Sequence, residues 1–465
     1  LRAATPGYYY PALLSYVELP FLATFLAVGR FVGLFENVNT MKESVLLNLG
    51  LFIPVVRLMS VIFGVATVYL VYKISHRLFN KTAGLMTAWF LAISYYHVSN
   101  SHFAQTWTTQ TFFIILSLYF AIKFYQQKDL KMKDCVFGGL LIGLSFGINF
   151  VGIIGYYWFV LVHFLKNRKA GFIKIFIKNK NFWLMNLTVL LSIGLIYYAN
   201  PHGLNNYFNR IIDIDAPAKL GGGGYPSYKI FHLSYLEILY FYIKNILIQE
   251  PIFFVLTFLG SIFLWFRERI IFYFLTSWMI LYLLMISPLT GVMGRYSLPL
   301  LPLMAIISSY FVLQIRKNLN DNIWKILIIA ISVYSLFFCV IFDLRMLKED
   351  TRVLARNWIL ANIPSGFAIK NEDLGEGLSL IENKQSIELI KNIHPELFST
   401  KRKYLFGLSE ENYPKLSYLL TTHSDLSQLV PVFDYIILSS FDKEMMDFNA
   451  SILPKSAKLV KYFYP

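Results

Sequence analysis

The stretch from Arg57 to Tyr125 constrains the fold more than any other part of the chain. An apolar run, RLMSVIFGVATVYLVY, ends in Lys73, His76, Arg77 and Lys81. Apolar residues resume at once with AGLMTAWFLAISYY, and a third run, FFIILSLYFAIKFY, reaches Lys123, Lys128, Lys131 and Lys133. Between the second and third runs lies HVSNSHFAQTWTTQ, His97 to Gln110, which carries neither Lys nor Arg. Apolar runs of this length suit the hydrocarbon thickness of a bilayer, and cations confined to alternate turns mark those turns as cytoplasmic. The pattern predicts membrane-crossing helices with basic turns inside and an uncharged polar loop, His97 to Gln110, outside.

Composition agrees. Only 15% of the 465 residues are charged, whereas 56% are hydrophobic and 17% aromatic; soluble domains carry about 25% charged residues. A net charge of +15 would suit a nucleic-acid partner, but its placement argues otherwise. Leu1 to Leu344 holds 27 Lys and Arg against 12 Asp and Glu, and Arg345 to Pro465 holds 15 against 15. The excess therefore lies in the membrane part, mostly in short turns, where orientation accounts for it without nucleic acid. Cys135 and Cys339 both fall in apolar segments and read as packing residues rather than a disulfide or metal pair.

In chain order, Tyr8 to Phe35 is long enough to cross but carries Glu18, Pro20 and Arg30. A charge in lipid is costly, so residues 1–51 read as an external juxtamembrane region whose helix lies on the outer face, with an ordinary crossing as the alternative. Asp134 to Leu165 starts and ends beside cations and is expected to double back as two short helices, with Gly147, Asn149 and Gly152 supplying the break. Phe182 to Ala199 runs outward into a hydrophilic stretch, Asn200 to Glu250, whose glycines Gly221 to Gly224 read as flexible external loop. Four further crossings follow: Pro251 to Phe266, Ile270 to Ile286, Tyr296 to Ile315 and Ile323 to Leu344. Residues 345–465 alternate differently. DTRVLARNWILANIP has helical spacing after an Asp350 or Thr351 cap, and GFAIKN, FDYIILSS and AKLVKYFY read as strands. The expected architecture is mainly α: a polytopic helical bundle over residues 1–344 and a small extracytoplasmic α/β domain. The chain begins with Leu rather than Met and stops at LVKYFYP, as a piece of a longer protein would.

The polar groups at the outer ends converge. They are Tyr8 to Tyr10, His97 and His102 with Gln105 and Thr106, Asn200 and His202, and Gly294-Arg295-Tyr296. Arg295 opens an apolar run, so its guanidinium belongs at the outer interface, where its fork suits a phosphate diester; snorkelling is the plainer alternative. Arg57, beside Ser60 and Gly64, has the same two readings. His97 and His102 have no cysteine or carboxylate beside them at ligand spacing, so hydrogen bonding or interfacial packing is favoured over metal binding.

The long Arg57 to Phe113 stretch resembles the membrane core of polyprenyl-phosphate-dependent glycosyltransferases with the GT-C fold, in particular the protein mannosyltransferase and aminoarabinose transferase group, glycosyltransferase family 39. YYYPALL is similar to that family's aromatic-Pro-Pro-Leu motif, GLLIGLSFGINFVGII to its paired short helices, and RYSLPLLPLMAII to its Arg-Tyr-Leu-Leu-Pro helix. NPHGL and DTRVLARNWILANIP are similar to the stretches that open its later external regions. The resemblance implies a multi-pass plasma-membrane enzyme that moves a sugar from a polyprenyl-phosphate donor to a lipid, glycan or protein acceptor on the extracytoplasmic face. It implies substrate contacts at Tyr10, Pro11, His102, Gln105, Arg295 and Tyr296, an inverting attack, and no organic cofactor, with a divalent metal left open. Three departures stand out. The family's acidic motif belongs upstream of YYYPALL, so the catalytic Asp is expected before Leu1 and this chain alone is expected to be inactive. Trp107 stands where relatives commonly have Asp, and Asn149 where many have Lys. A transporter or flippase of lipid-linked glycans is the alternative function; it calls for mid-membrane ionisable residues and internal repeats, neither of which is clear here. A non-catalytic scaffold would not need its external polar residues to converge.

Overall fold

The computed structural model describes residues 13–47, 49–128, 130–167, 179–199, 235–287, 293–372, 380–393, 395, 398–421, 433–438, 458–461 and 463. Those within Leu1–Met41, Asn48–Ala216 and Tyr228–Asp343 form one compact unit, and those within Lys42–Leu47 and Leu344–Pro465 a second. The first is a helical bundle. Among the described residues, eight helices are long and apolar enough to cross a membrane, or nine if one bent pair makes a single span. These include α1 (Leu13–Phe31), which the sequence left open as a surface helix or a crossing. A short α2 (Val38–Leu47) follows it.

The basic hairpin pairs α3 (Ile53–Leu78) with α4 (Lys81–Ala92). Asn80 starts α4 by accepting a hydrogen bond from the Ala83 amide at 2.9 Å, which satisfies one of the donors a helix start leaves open. Gly84 lets the two helices approach: a Cβ there would lie 2.9 Å from the Tyr72 carbonyl oxygen and 3.1 Å from the His76 Cβ. At the far end the chain departs from expectation. His97 to Gln110 is mostly helix rather than loop, shared between α5 (Tyr95–Ser101) and the first turn of α6 (Thr106–Gln126). Its short polar side chains bond the helix backbone itself: the Asn100 amide donates to the Tyr96 carbonyl at 2.8 Å, and the Ser101 hydroxyl to the His97 carbonyl at 2.8 Å. Such local bonding lets polar residues sit buried in helices, which a hydropathy reading takes for a wet turn.

The doubled-back segment is α7 (Met132–Ile148), a 3-10 turn (Phe150–Gly155) and α8 (Tyr156–Asn167). Asn149 makes the break: it is extended (φ −156°, ψ 138°), and its side chain accepts from the Val151 amide at 3.2 Å. Gly147 instead serves packing. With Gly139 and Gly143 it lines the face of α7 that meets α9 (Lys180–Ala199), where a Cβ on Gly139 would sit 2.7 Å from the Thr188 Cβ and one on Gly147 2.7 Å from the Ile196 Cδ1. Between apolar helices in lipid, close backbone approach replaces the hydrophobic drive that water would supply.

The stretch Asn200 to Glu250, expected to be loop, ends in a helix, α10 (Tyr235–Gln249). Its Tyr242 and Ile246 are buried four residues apart, a helical stripe masked in the sequence by the Gly- and Pro-rich residues before it. At Glu250 the axis turns by 114° into α11 (Pro251–Arg267), so the two helices do not form one straight crossing. Then come α12 (Arg269–Ile286), a 3-10 segment (Gly294–Leu300), α13 (Leu301–Arg316) and α14 (Asp321–Met346). α13 is the bundle's centre, buried without interruption from Leu301 to Val312. Trp158 and Trp278 stack at 4.5 Å between α8 and α12; the Trp158 indole N–H donates to the Phe274 carbonyl on α12 at 2.7 Å, and that of Trp278 to the Ile154 carbonyl in the 3-10 turn before α8 at 3.1 Å.

The second unit is α/β. α15 (Thr351–Asn362) starts at Asp350, whose carboxylate accepts from the Arg352 amide at 2.8 Å. Three parallel strands, β1 (Ala368–Glu372), β2 (Leu419–Thr421) and β3 (Tyr435–Leu438), lie in the order β2-β1-β3, with Ile369 opposite both Leu420 and Tyr435. Between β1 and β2 run α16 (Lys384–Ile393) and α17 (Thr400–Phe406), the helical crossover that parallel strands need. Ile359, Ile363, Ile369, Leu380, Tyr418 and Leu420 make its core. The forked Arg402–Glu382 pair (2.6 and 2.9 Å) ties α17 to the residues before α16. AKLVKYFY was expected to be a strand, but Lys458 to Lys461 and Phe463 are not in one; β2 was not foreseen.

Candidate functional site

Within the first unit, polar side chains meet where α5, the start of α6, α10 and the 3-10 segment come together. Ser94 caps α5, accepting from the His97 amide at 3.3 Å. The Glu250 carboxylate, 4% exposed, accepts from the Ser94 hydroxyl at 2.6 Å and from the Tyr96 amide at 2.8 Å. One acid therefore ties the turn between α10 and α11 to the first turn of α5, where a helix start favours negative charge. Across from it the Asn245 amide reaches the Tyr96 hydroxyl, the Gly294 carbonyl and the Ser297 hydroxyl, each at 3.4 Å. A Cβ on Gly294 would lie 2.7 Å from the Asn245 Oδ1, so a glycine is what lets the 3-10 segment approach α10.

That segment carries Arg295 and Tyr296. The Tyr296 ring lies against Trp107 of α6, centroids 4.5 Å apart, and its carbonyl accepts from the Tyr282 hydroxyl at 2.7 Å. Arg295 is half-buried, and its Nε is buried with no hydrogen-bond partner among the described residues. A buried donor on a cation left unpaired is costly, so among the described residues this corner is short of one acceptor, which an anion would supply.

The other residues singled out from the sequence disperse. His102 lies 3.4 Å from the Asp343 carboxylate of α14 and edge-on to Phe342, so a carboxylate does join it, from 241 positions away. Gln105 is the residue before α6 and makes no side-chain cap bond. The His97 Nε2 faces the Gly64 carbonyl at 3.3 Å. Tyr10, Pro11, Asn200 and His202 lie outside the described residues. Among the described residues no group of three His, Cys, Asp or Glu side chains is placed to hold a metal ion. Sequence reading missed Glu250 and Asn245. An acid before a proline reads as a turn, which is where Glu250 lies, whereas the apolar stripe of α10 was the signal that would have placed Asn245 on a packed helix. It also passed over Gln110, whose two side-chain amide atoms are buried beside Gly152 with no hydrogen-bond partner among the described residues.

Fold and site together define a multi-pass helical membrane protein with a polar corner built around an arginine. Residues 48–198, which carry α3 to α9, match the model of the family described as dolichyl-phosphate-mannose-protein mannosyltransferase. No curated protein sequence matches the chain. Among solved structures, the chain is similar to ArnT from Cupriavidus metallidurans bound to undecaprenyl phosphate (15% identity, 66% of this chain and 58% of that one, TM-score 0.43). It is also similar to the Archaeoglobus fulgidus oligosaccharyltransferase in complex with Zn and sulfate (16%, 77% and 49%, 0.42) and to AglB of the same organism with an inhibitory peptide and a dolichol-phosphate (14%, 77% and 51%, 0.43). The chain spans about half the length of these solved proteins.

Proposed function

We propose that the chain is part of a membrane glycosyltransferase that transfers a sugar from a polyprenyl-phosphate carrier to a lipid, glycan or protein acceptor on the extracytoplasmic face. The observation that carries this reading is Arg295: a guanidinium at the mouth of a membrane helix with a buried, unpaired donor, in a bundle whose residues 48–198 match a family described by its phosphate-linked sugar donor. In the reaction, a base takes the proton of the acceptor hydroxyl, the oxygen bonds the anomeric carbon from the far side, and the sugar–phosphate bond breaks. The carrier phosphate leaves with an added negative charge. Arg295 offsets that charge in a corner with little water, where a fixed cation is worth most. Trp107 and Tyr296 form the apolar wall beside it. Glu250 already holds two donors and serves as a brace rather than the base.

The test is donor kinetics with purified polyprenyl-phosphate sugars, using the full-length protein. Arg295→Ala should weaken donor use by about 2 to 5 kcal/mol, the cost of leaving a desolvated partner charge unpaired. Arg295→Lys keeps charge but loses the fork and should fall between. A folded Ala variant with unchanged donor kinetics would return Arg295 to an interfacial snorkelling residue.

A further inference from the structure

The opposite, basic end of the α3–α4 hairpin holds a feature that sugar transfer does not use. A cavity of about 290 Å³ opens there, lined by Lys73, His76 and Arg77 from the last turns of α3 and by Tyr119 of α6. That volume is at the lower end for a ligand pocket and suits a small headgroup. His76 and Arg77, three and four residues after Lys73, share one helix face with it. Arg77 is held in place by a 3.0 Å hydrogen bond to the Gln126 side chain, and its guanidinium lies 5.7 Å from the Tyr119 ring. Lys73 sits 5.2 Å from the Tyr69 ring. Among the described residues no carboxylate comes within ion-pair distance of Lys73, His76 or Arg77. The carbonyls at the end of α3 favour cations nearby, which explains their presence but not their arrangement around a cavity with an aromatic wall.

The surface leading to the cavity identifies the occupant. On α3, Leu58, Ile62, Val65 and Tyr69 are exposed, between 43% and 65%, and their spacing of four, three and four residues makes one stripe. Lys73 and His76 continue that stripe into the cavity. An apolar track running along a membrane helix to a cluster of cations has the shape of a phospholipid: acyl chain on the stripe, phosphate among the cations. Free phosphate would account for the cations alone.

We propose that Lys73, His76, Arg77 and Tyr119 bind the phosphate of an anionic glycerophospholipid whose acyl chain lies along Leu58, Ile62, Val65 and Tyr69. This site is separate from the Arg295 corner and does not depend on the activity proposed for it. Native mass spectrometry of the full chain released from detergent, with phosphatidylglycerol or phosphatidylcholine added, tests it. Phosphatidylglycerol should be retained in preference, and Lys73→Gln with Arg77→Gln should weaken retention about 25-fold, from about fivefold for each cation near a charged headgroup. Lys73→Arg with Arg77→Lys, which keeps both charges, should restore most of it and guards against a folding defect. Equal retention of the two lipids would overturn the proposal, as would undiminished phosphatidylglycerol binding in the Gln variant. In a parallel thermal-shift measurement, phosphatidylglycerol should stabilise the protein and inorganic phosphate at the same concentration should not; an equal shift from phosphate would assign the cavity to a free anion and overturn the lipid assignment.

Discussion

Glu250 shows what a single buried acid does in this bundle. Its carboxylate accepts from the Ser94 hydroxyl and the Tyr96 amide, joining the turn after α10 to the start of α5. The substitution Glu250→Ala leaves the Tyr96 amide and the Ser94 hydroxyl buried without that acceptor, and should cost about 1 to 3 kcal/mol. Glu250→Gln keeps one oxygen and should cost less. Thermal unfolding in detergent measures both, and the brace assignment requires the loss of stability to appear. If Glu250→Gln abolished sugar transfer while leaving the melting temperature untouched, Glu250 would be the reaction's base instead. Such pairings are what sequence hides best: His102 finds Asp343, and Ser94 finds Glu250, across 241 and 156 positions. Arg295 was singled out because standing at the mouth of an apolar run is a local property that needs no distant partner.

At the level of elements, the long apolar helices could be read because length and one-sided charge are local properties. The crossings from Pro251 to Leu344 fall on α11 to α14. What failed were segments whose state depends on neighbours. His97 to Gln110 is polar yet helical because its side chains bond its own backbone, and Tyr235–Gln249 is helical because Tyr242 and Ile246 are buried within the bundle. In the tail, β2 is a three-residue strand, too short for its alternation to be counted. Of the two glycines expected to supply the break, Gly147 lies in α7 and serves contact with α9, as Gly139 and Gly143 do. A Cβ on Gly143 would overlap the Ser192 side chain. Gly143→Val should therefore push α7 from α9 and cost about 1 to 3 kcal/mol by overpacking. Ser192→Gly in the same chain should recover part of that loss, because the two positions share one contact. Additive losses in the double variant, measured by thermal unfolding, would show that the helices do not meet there.

For the whole molecule, the ends of the helices carry the orientation. Cations close α3 (Arg77), open α4 (Lys81), close α6 (Lys123), close α8 (Lys166) and open α9 (Lys180); Arg267, Arg269 and Arg316 do the same for α11 to α13. The turn between α5 and α6 has none. The positive-inside rule predicts that the α5–α6 turn, the Arg295 corner and the residues after α14 lie on the extracytoplasmic side. The proposed sugar transfer on that face requires the first two to lie outside. Both native cysteines are buried, so single introduced cysteines can report the side. Ala104, Glu410 and Lys131 are exposed. In intact cells an impermeant maleimide should label Ala104→Cys and Glu410→Cys, while Lys131→Cys should react only after the membrane is permeabilised. Labelling of Lys131→Cys alone would invert the bundle, place Arg295 at the cytoplasmic face and remove the basis for extracytoplasmic transfer; labelling of Ala104→Cys without Glu410→Cys would leave the Arg295 corner outside but move the α/β unit to the cytoplasm, and α14 would not be a crossing.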